Sequence, residues 1–156
     1  MTRQINDLII EDAKIHFRNF SGRETKFNPA GRRNFVVEID PSIVNELRAD
    51  GWLVKDWYSG TGEGEVKGYT LTAHLNFGNY PPKVMLVAGK KLISLDENTV
   101  GQLDSADITL VDLDLRPYEW EPGHIKAYVR SMYVTIRPCA FDDKYNFSDE
   151  EPSLPF

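Results

Sequence analysis

The sequence is poor in the residues that most often carry chemistry, with one cysteine and three histidines among 156 residues. Cys139, standing alone, can form no internal disulfide and cannot supply the several thiolates of a structural zinc site. It reads as a small residue where the folded domain ends. His16, His74 and His124 fall on separate predicted elements, and His16 and His74 read as outward-facing strand residues. No apolar run approaches the ~20 residues that a membrane-spanning helix needs. The stretch Met1 to Asp7 leads into a strand-like run and not into the apolar block of a signal peptide, so the expected location is the cytoplasm, of a cell or of an infected host. The glycines of Ser59–Glu65 fit no phosphate loop, and no Gly-Lys-Ser/Thr follows them, which excludes that mode of nucleotide binding. Asp112 and Asp114 share a strand face, as paired metal-binding carboxylates do, but no third ligand stands at a suggestive spacing. They read as surface acids. Ser21 and Ser131 lack the surroundings of a nucleophile. The expectation is a non-enzymatic protein with no catalytic residue, no cofactor and no metal.

What is present can build one domain. Hydrophobic residues make up 41% and aromatics 12% of the chain, enough for a core at this length without disulfide or metal support. The net charge of −6 argues against indiscriminate nucleic-acid binding, but its distribution matters more. Residues 139–156 carry Asp142, Asp143, Asp149, Glu150 and Glu151 against Lys144, a net −4, which leaves −2 for the other 138 residues. Within that body, residues 14–33 carry Lys14, Arg18, Arg23, Lys26, Arg32 and Arg33 against Glu24 alone, a net +5. A basic patch and an acidic tail at opposite ends of one chain point to nucleic-acid interaction with an interaction tail.

The hydrophobic pattern is that of short strands. Residues 8–18 predict a strand with Ile15 and Phe17 on one face and Lys14, His16 and Arg18 on the other. Asn34–Asp40 predicts a second strand, with Phe35, Val37 and Ile39 inward. Asp40 is placed to cap a short helix with Pro41 at its first position and Gly51 at its end. Further strands are expected over Trp52–Tyr58, over Tyr69–Phe77, and as a pair around Gly89-Lys90-Lys91. A helical turn is expected within Asp96–Leu103. The apolar parity of Ile108–Leu115 slips by one residue, which predicts a β-bulge. His124–Arg137 reads as the longest strand. Beyond Pro138 the chain is acidic and aperiodic. The predicted organisation is a mostly β domain over residues 1–140 and a disordered acidic C-terminal tail over 141–156. For the domain, a small five-stranded Greek-key barrel of the oligonucleotide-binding type is expected, with elaborated hairpins and one or two short helices. A β-sandwich is the alternative.

Two constellations carry the functional reading. Non-specific binding of single strands needs cations that track phosphates and flat rings on which bases stack. Lys126, Tyr128 and Arg130 share a face of the last strand, and Lys14 and Arg18 share one on the first. The following loop adds Phe20, Arg23, Lys26, Phe27, Arg32 and Arg33. Of the two tryptophans beside turns, Trp57 and Trp120, one is expected to stack a base, with Trp57 the candidate. Tyr69 and Phe77 read as core. The second constellation is the tail, which offers a phenylalanine ring and a carboxylate after an acidic run. A partner with an apolar pocket and a basic rim could hold it.

The ending Asp149-Glu150-Glu151-Pro152-Ser153-Leu154-Pro155-Phe156 resembles the acidic tip of bacterial single-stranded-DNA-binding proteins, which closes on Ile-Pro-Phe. Pro152-Ser153 departs from it by interrupting the acidic run. The resemblance implies a recruiting role for Asp149, Glu150, Glu151, Leu154, Pro155 and Phe156. The implied partners are replication or recombination proteins: a polymerase, helicase, primase or nuclease. The body is similar to bacteriophage single-stranded-DNA-binding proteins. The similarity lies in Ile15–Gly22, Phe27–Phe35, Pro81-Pro82-Lys83-Val84, Arg116-Pro117-Tyr118 and Ile125–Tyr128. It implies an oligonucleotide-binding barrel that coats single-stranded DNA during replication, recombination or repair, with no membrane partner and with homo-oligomers compatible. The alternative is a β-domain interaction module, such as a phage factor that modulates a host complex without touching DNA.

Overall fold

The computed structural model describes residues 5–26, 28–58, 66–78 and 81–137. Among them are nine strands joined in one sheet, one α-helix and one 3₁₀ turn. Phe27, Cys139, the hairpin tip 59–65 and the tail 141–156, all read above, lie outside the described residues.

The first segment forms two strands, β1 (Leu8–Ile10) and β2 (Ile15–Asn19), where one was expected. Asp12 breaks it with a left-handed φ of 54°, a conformation Asp tolerates better than most residues. β1 pairs with the long strand β8 (Ile108–Glu121), and β2 pairs with β3 (Arg33–Ile39). Between them the chain bonds to both sides, Ala13 N–H to the Val111 carbonyl at 2.7 Å and Glu38 N–H to the Lys14 carbonyl at 2.9 Å. The remaining path runs from β3 to β5 (Val66–Leu75), then to β9 (His124–Ile136) and back to β8. The β5–β9 pair is parallel and the others on this path are antiparallel. Five strands thus curl so that the halves of the first segment stand at both ends of the path. This is the partly open barrel of the oligonucleotide-binding type.

The elaborations are hairpins. β4 (Lys55–Tyr58) adds to the side of β5. β6 (Lys83–Ala88) and β7 (Lys91–Leu95) form a hairpin, and β6 lies parallel to the second half of β9. The helix α1 (Pro41–Asp50) starts as its sequence dictates: the Asp40 carboxylate accepts from Ser42 N–H at 2.9 Å and Pro41 opens the first turn. It ends at Gly51, whose φ of 110° only glycine holds without strain. A Cβ there would lie 2.7 Å from the Gly123 carbonyl oxygen. The Gly51 carbonyl also accepts from Ile125 N–H. The helix end therefore clasps the β8–β9 hairpin, and no larger residue fits.

Alternation fills the core. Phe35, Val37 and Ile39 of β3, Leu71, Ala73 and Leu75 of β5, and Val111, Leu113 and Leu115 of β8 are all buried. On β9 the inward parity changes from Ile125, Ala127 and Val129 to Met132 and Val134. The change coincides with a register slip opposite Asp114 and Leu115, one extra residue being what reverses strand parity. The expected slip near Ile108 is also present.

Three further features differ from expectation. The Trp52–Tyr58 strand begins only at Lys55, and Trp52 is instead buried in the core with a bridge to Ile125. β8, with 14 residues, exceeds β9 by one and continues past Pro117. β1 pairs only as far as Leu115, so beyond it β8 is an edge, where proline is tolerated. Phe17 does not share the inward face of Ile15. Its φ is 53° and the β2–β3 register breaks between His16 and Asn19, which turns the ring outward to 83% exposure.

Candidate nucleic-acid interface

The outer face of the barrel sheet follows from the same alternation. Opposite the core side chains stand Asn34, Val36 and Glu38 of β3, Thr70, Thr72 and His74 of β5, Lys126 and Tyr128 of β9, and Arg116, Tyr118 and Trp120 of β8. The register then fixes neighbours. Arg116 pairs with Tyr128 and Tyr118 with Lys126 across the β8–β9 hairpin, and His74 lies beside Tyr128 across the parallel pair. The Tyr118 and Tyr128 rings meet edge to face at 5.7 Å, and the His74 ring lies 5.5 Å from Tyr128. The Lys126 ammonium stands 5.5 Å from the Trp120 ring centre and the Arg116 guanidinium 6.0 Å from that of Tyr128. Tyr118 and Trp120 remain about half exposed, at 49% and 51%. Rings of this size left half exposed beside cations offer flat faces on which a base can stack.

The strip continues into a groove of about 470 Å³. The loop residues Pro29–Arg33 form one wall, His74–Gly78 another, and Lys126 and Tyr128 the floor. The loop between β2 and β3 is held open by its asparagines. Buried Asn19 accepts from the backbone N–H of Gly22 and Arg23 and donates to the Arg23 carbonyl. Asn28 donates to the Arg32 carbonyl at 2.6 Å and accepts from Asn34. Satisfying these backbone groups internally gives a polar, irregular loop one conformation.

His74 sits where the strip meets the groove. Burial first, and then the charges of Lys126 and Arg32, push its pKa down to about 4. At neutral pH its imidazole is therefore uncharged, and the local positive potential comes from Lys126, Arg32 and Arg116.

A second aromatic cluster lies toward the other end of the same face. The Trp57 ring lies 5.7 Å from that of His16, which is 6.4 Å from the Phe17 ring. Trp57 packs over Gly68, where a Cβ would meet the indole at 3.3 Å, and stays 43% exposed. His16 Nε2 lies 2.6 Å from a Glu38 carboxylate oxygen. From Gly68 to His74 is six residues of β5, or about 20 Å of strand.

The predicted residues divide accordingly. Arg32, Arg33, Lys126 and Tyr128 converge on the groove, and Trp57 belongs to the second cluster. Arg33 is the more structural of the two loop arginines. It donates to the Phe20 carbonyl at 2.9 Å, faces Glu97, and stacks 5.5 Å over Phe77. Arg23 pairs with Asp104 at 3.1 Å, and Lys26 is exposed in the loop. Arg130 shares the face of Lys126 and Tyr128 but pairs with Asp7 at 2.5 Å. Arg18 donates to the Leu103 and Ala106 carbonyls, both at 2.8 Å, so it ties the 3₁₀ turn (Val100–Asp104) to β2. Lys14 and Arg18 line a separate cleft of about 320 Å³ between β2 and the start of β8.

Phe20 requires correction. It was expected to stack a base, but it is fully buried and stacked 5.2 Å from Phe35. Its amide bonds to Asp104, which folds the start of the loop inward. Asp112 accepts from Asp12 N–H, and among the described residues no group of three or more potential metal ligands occurs.

Arg116, Tyr118 and Phe17 were not singled out from the sequence as contacts. For the first two a signal existed, since Arg116, Tyr118 and Trp120 alternate by two across a Pro122-Gly123 turn from Lys126 and Tyr128. Phe17 had none, because its exposure depends on a backbone bulge.

Three comparisons with known proteins bear on this geometry. Residues 1–151 match the sequence family described as "Putative phage ssDNA-binding domain". No curated protein sequence matches. Among solved structures, the single-stranded DNA-binding protein from bacteriophage Enc34, in a C-terminal truncation, superposes with a TM-score of 0.52 at 11% identity. The match covers 85% of this chain and 87% of that one, and at this identity it shows a shared fold.

Proposed function

This chain belongs to the phage ssDNA-binding domain family, and from that premise we propose that it binds single-stranded DNA along the outer face of its barrel sheet. The observation that carries the reading is the strip of half-exposed rings and cations, Trp120, Tyr118, Tyr128 and His74 with Arg116, Lys126 and Arg32. Such a strip meets both needs of single-strand binding, phosphate neutralisation and base stacking, without any base-edge code. Its place supports the same reading, because oligonucleotide-binding barrels use the face of their second and third strands, here β3 and β5 with His74, and the loops after the first and fourth, which carry Arg32 and the β8–β9 hairpin. Here those loops are residues 20–32 and the Pro122-Gly123 turn. The protein acts by binding and protecting strands and not by catalysis.

The finer reading assigns the strand-coating to replication, recombination or repair. Residues 1–140 form the binding domain. Residues 141–156 form a tail whose Asp149, Glu150, Glu151, Leu154, Pro155 and Phe156 recruit a polymerase, helicase, primase or nuclease. Charge supports this division, since the tail carries −4 and leaves the domain near neutral with a basic loop.

Anisotropy of a labelled oligo-dT, titrated at several salt concentrations against a duplex of equal length, tests the binding. Tighter binding of the single strand, weakening as salt rises, is the expected result. Equal affinity for duplex, or no binding at low salt, sinks the proposal. Removing residues 142–156 should leave DNA binding intact or tighter and abolish partner capture; weaker DNA binding after truncation contradicts the tail assignment.

A further inference from the structure

We infer that β7 is a self-pairing edge through which two copies of this chain associate about a two-fold axis. β7 hydrogen-bonds to β6 on one side, and among the described residues no strand pairs with its other edge. Its side chains are not those of a protected edge. Leu92 is 58% and Ile93 41% exposed, on opposite faces of the strand. An exposed edge carrying apolar residues is a template for another strand.

The turn fixes which backbone groups the edge offers. Ala88 and Lys91 flank a two-residue turn whose first residue, Gly89, has a φ of 64°. The pairs Ala88–Lys91, Leu86–Ile93 and Val84–Leu95 therefore exchange the hairpin's hydrogen bonds. The N–H and C=O groups of Leu92 and Ser94 point outward. An antiparallel partner must match these two residues with its own, so Leu92 meets Ser94 of the second copy and Ile93 meets Ile93 at the axis.

Charge selects this partner. Protective lysines at an edge repel a second copy when the strand is of one sign. Here Lys90-Lys91 precedes the uncharged Leu92-Ile93-Ser94-Leu95, and Asp96-Glu97 follows it. In the Ile93-centred register the Lys90-Lys91 end of each strand lies alongside the Asp96-Glu97 end of the other, twice over by symmetry, although both acids stand just past the strand, where Asp96 accepts from Asn98 and Thr99 and Glu97 faces Arg33. A parallel arrangement would set lysine against lysine. The sequence of this edge is thus complementary to itself in the antiparallel sense, and the occupant it fits is another copy of this chain.

The test uses the full chain with Cys139 replaced by serine. Light scattering at micromolar concentration should give a two-chain mass, and Ile93→Lys, which sets two ammonium groups together at the axis, should reduce it to one chain. Ile93 is exposed, so the variant should stay folded, with the thermal midpoint of the parent diluted to one chain. Oxidation of Ile93→Cys should yield a covalent dimer, because Cα atoms at such a pair lie about 4.5 Å apart, within disulfide reach. Leu92→Cys, more exposed but about 7–8 Å from its own copy, should not. A one-chain mass for the parent, a two-chain mass that survives Ile93→Lys, or equal cross-linking at positions 92 and 93 overturns the proposal.

Discussion

Replacing Trp120 by alanine separates binding from folding more cleanly than any other change on the sheet face. The indole is 51% exposed, and it lies against Lys126 and His124, both themselves exposed. Truncation opens no core cavity, so stability should move by less than about 0.5 kcal/mol. A base stacked on an aromatic side chain contributes roughly 1–3 kcal/mol. At about 1.4 kcal/mol per tenfold, the dissociation constant for oligo-dT should rise by about 5- to 150-fold. The salt dependence should stay nearly unchanged, because no phosphate contact is removed; Lys126 keeps its ammonium after the ring beneath it is gone. Fluorescence supplies an internal check. Trp52 is buried and Trp57 and Trp120 are exposed, so DNA should quench the parent, with a smaller loss in the variant. An affinity within twofold of the parent, at an unchanged melting point, would refute the idea that this strip stacks bases.

Other expectations follow from the same geometry. Lys126→Ala and Arg32→Ala should each lower the slope of log affinity against log salt by about 0.7, the value for one phosphate of a single strand; an unchanged slope removes that residue from the interface. Phe20→Ala should cost about 3–5 kcal/mol of stability by denaturant titration, and a loss under 1 kcal/mol would mean that the ring is not in the core. His74 has a folded pKa near 4, below its usual 6.5, so the unfolded chain binds the extra proton between those values. Its contribution is fully present above pH 6.5 and is lost as the pH falls toward 4. After allowance for screening at this half-buried site the loss is about 1–2 kcal/mol. His74→Asn should flatten the stability profile across that window, and an unaltered profile contradicts the assignment.

Much of this architecture was legible before any coordinates, and the reason differs by element. The helix was readable at both ends because Asp40, Pro41 and Gly51 are local devices whose effect does not depend on the rest of the fold. The β6–β7 hairpin was readable from its turn, and the slip near Ile108 from parity. What failed depended on distant partners. Phe20 stands among arginines in sequence, yet Asp104, 84 residues away, draws its amide inward. Phe17 belongs to the inward parity of its strand, yet a bulge reverses it. Trp52 reads as the first residue of a strand, yet that strand starts only at Lys55 and Trp52 is buried with a bridge to Ile125.

The candidate site was legible in its halves and not in its assembly. Lys126 and Tyr128 were paired by alternation on one strand. Their join to Arg116 and Tyr118 needs the hairpin register, and their join to His74 and Arg32 needs the parallel β5–β9 contact. Arg18 and Arg33 show the converse. Their charge counted toward the basic patch, while two backbone carbonyls hold each guanidinium in place.

The central claim, that single-stranded DNA lies on the outer face of the barrel sheet, is tested most directly by mapping where it touches. Photo-cross-linking of the full chain to an oligo-dT carrying reactive thymines, followed by peptide mass spectrometry, reads this out. Cross-links at Tyr118, Trp120 and Tyr128, with others in the loop 20–32, are the predicted result. Cross-links confined to the β6–β7 hairpin, or to the cleft lined by Lys14 and Arg18, with none on the strip, would contradict it.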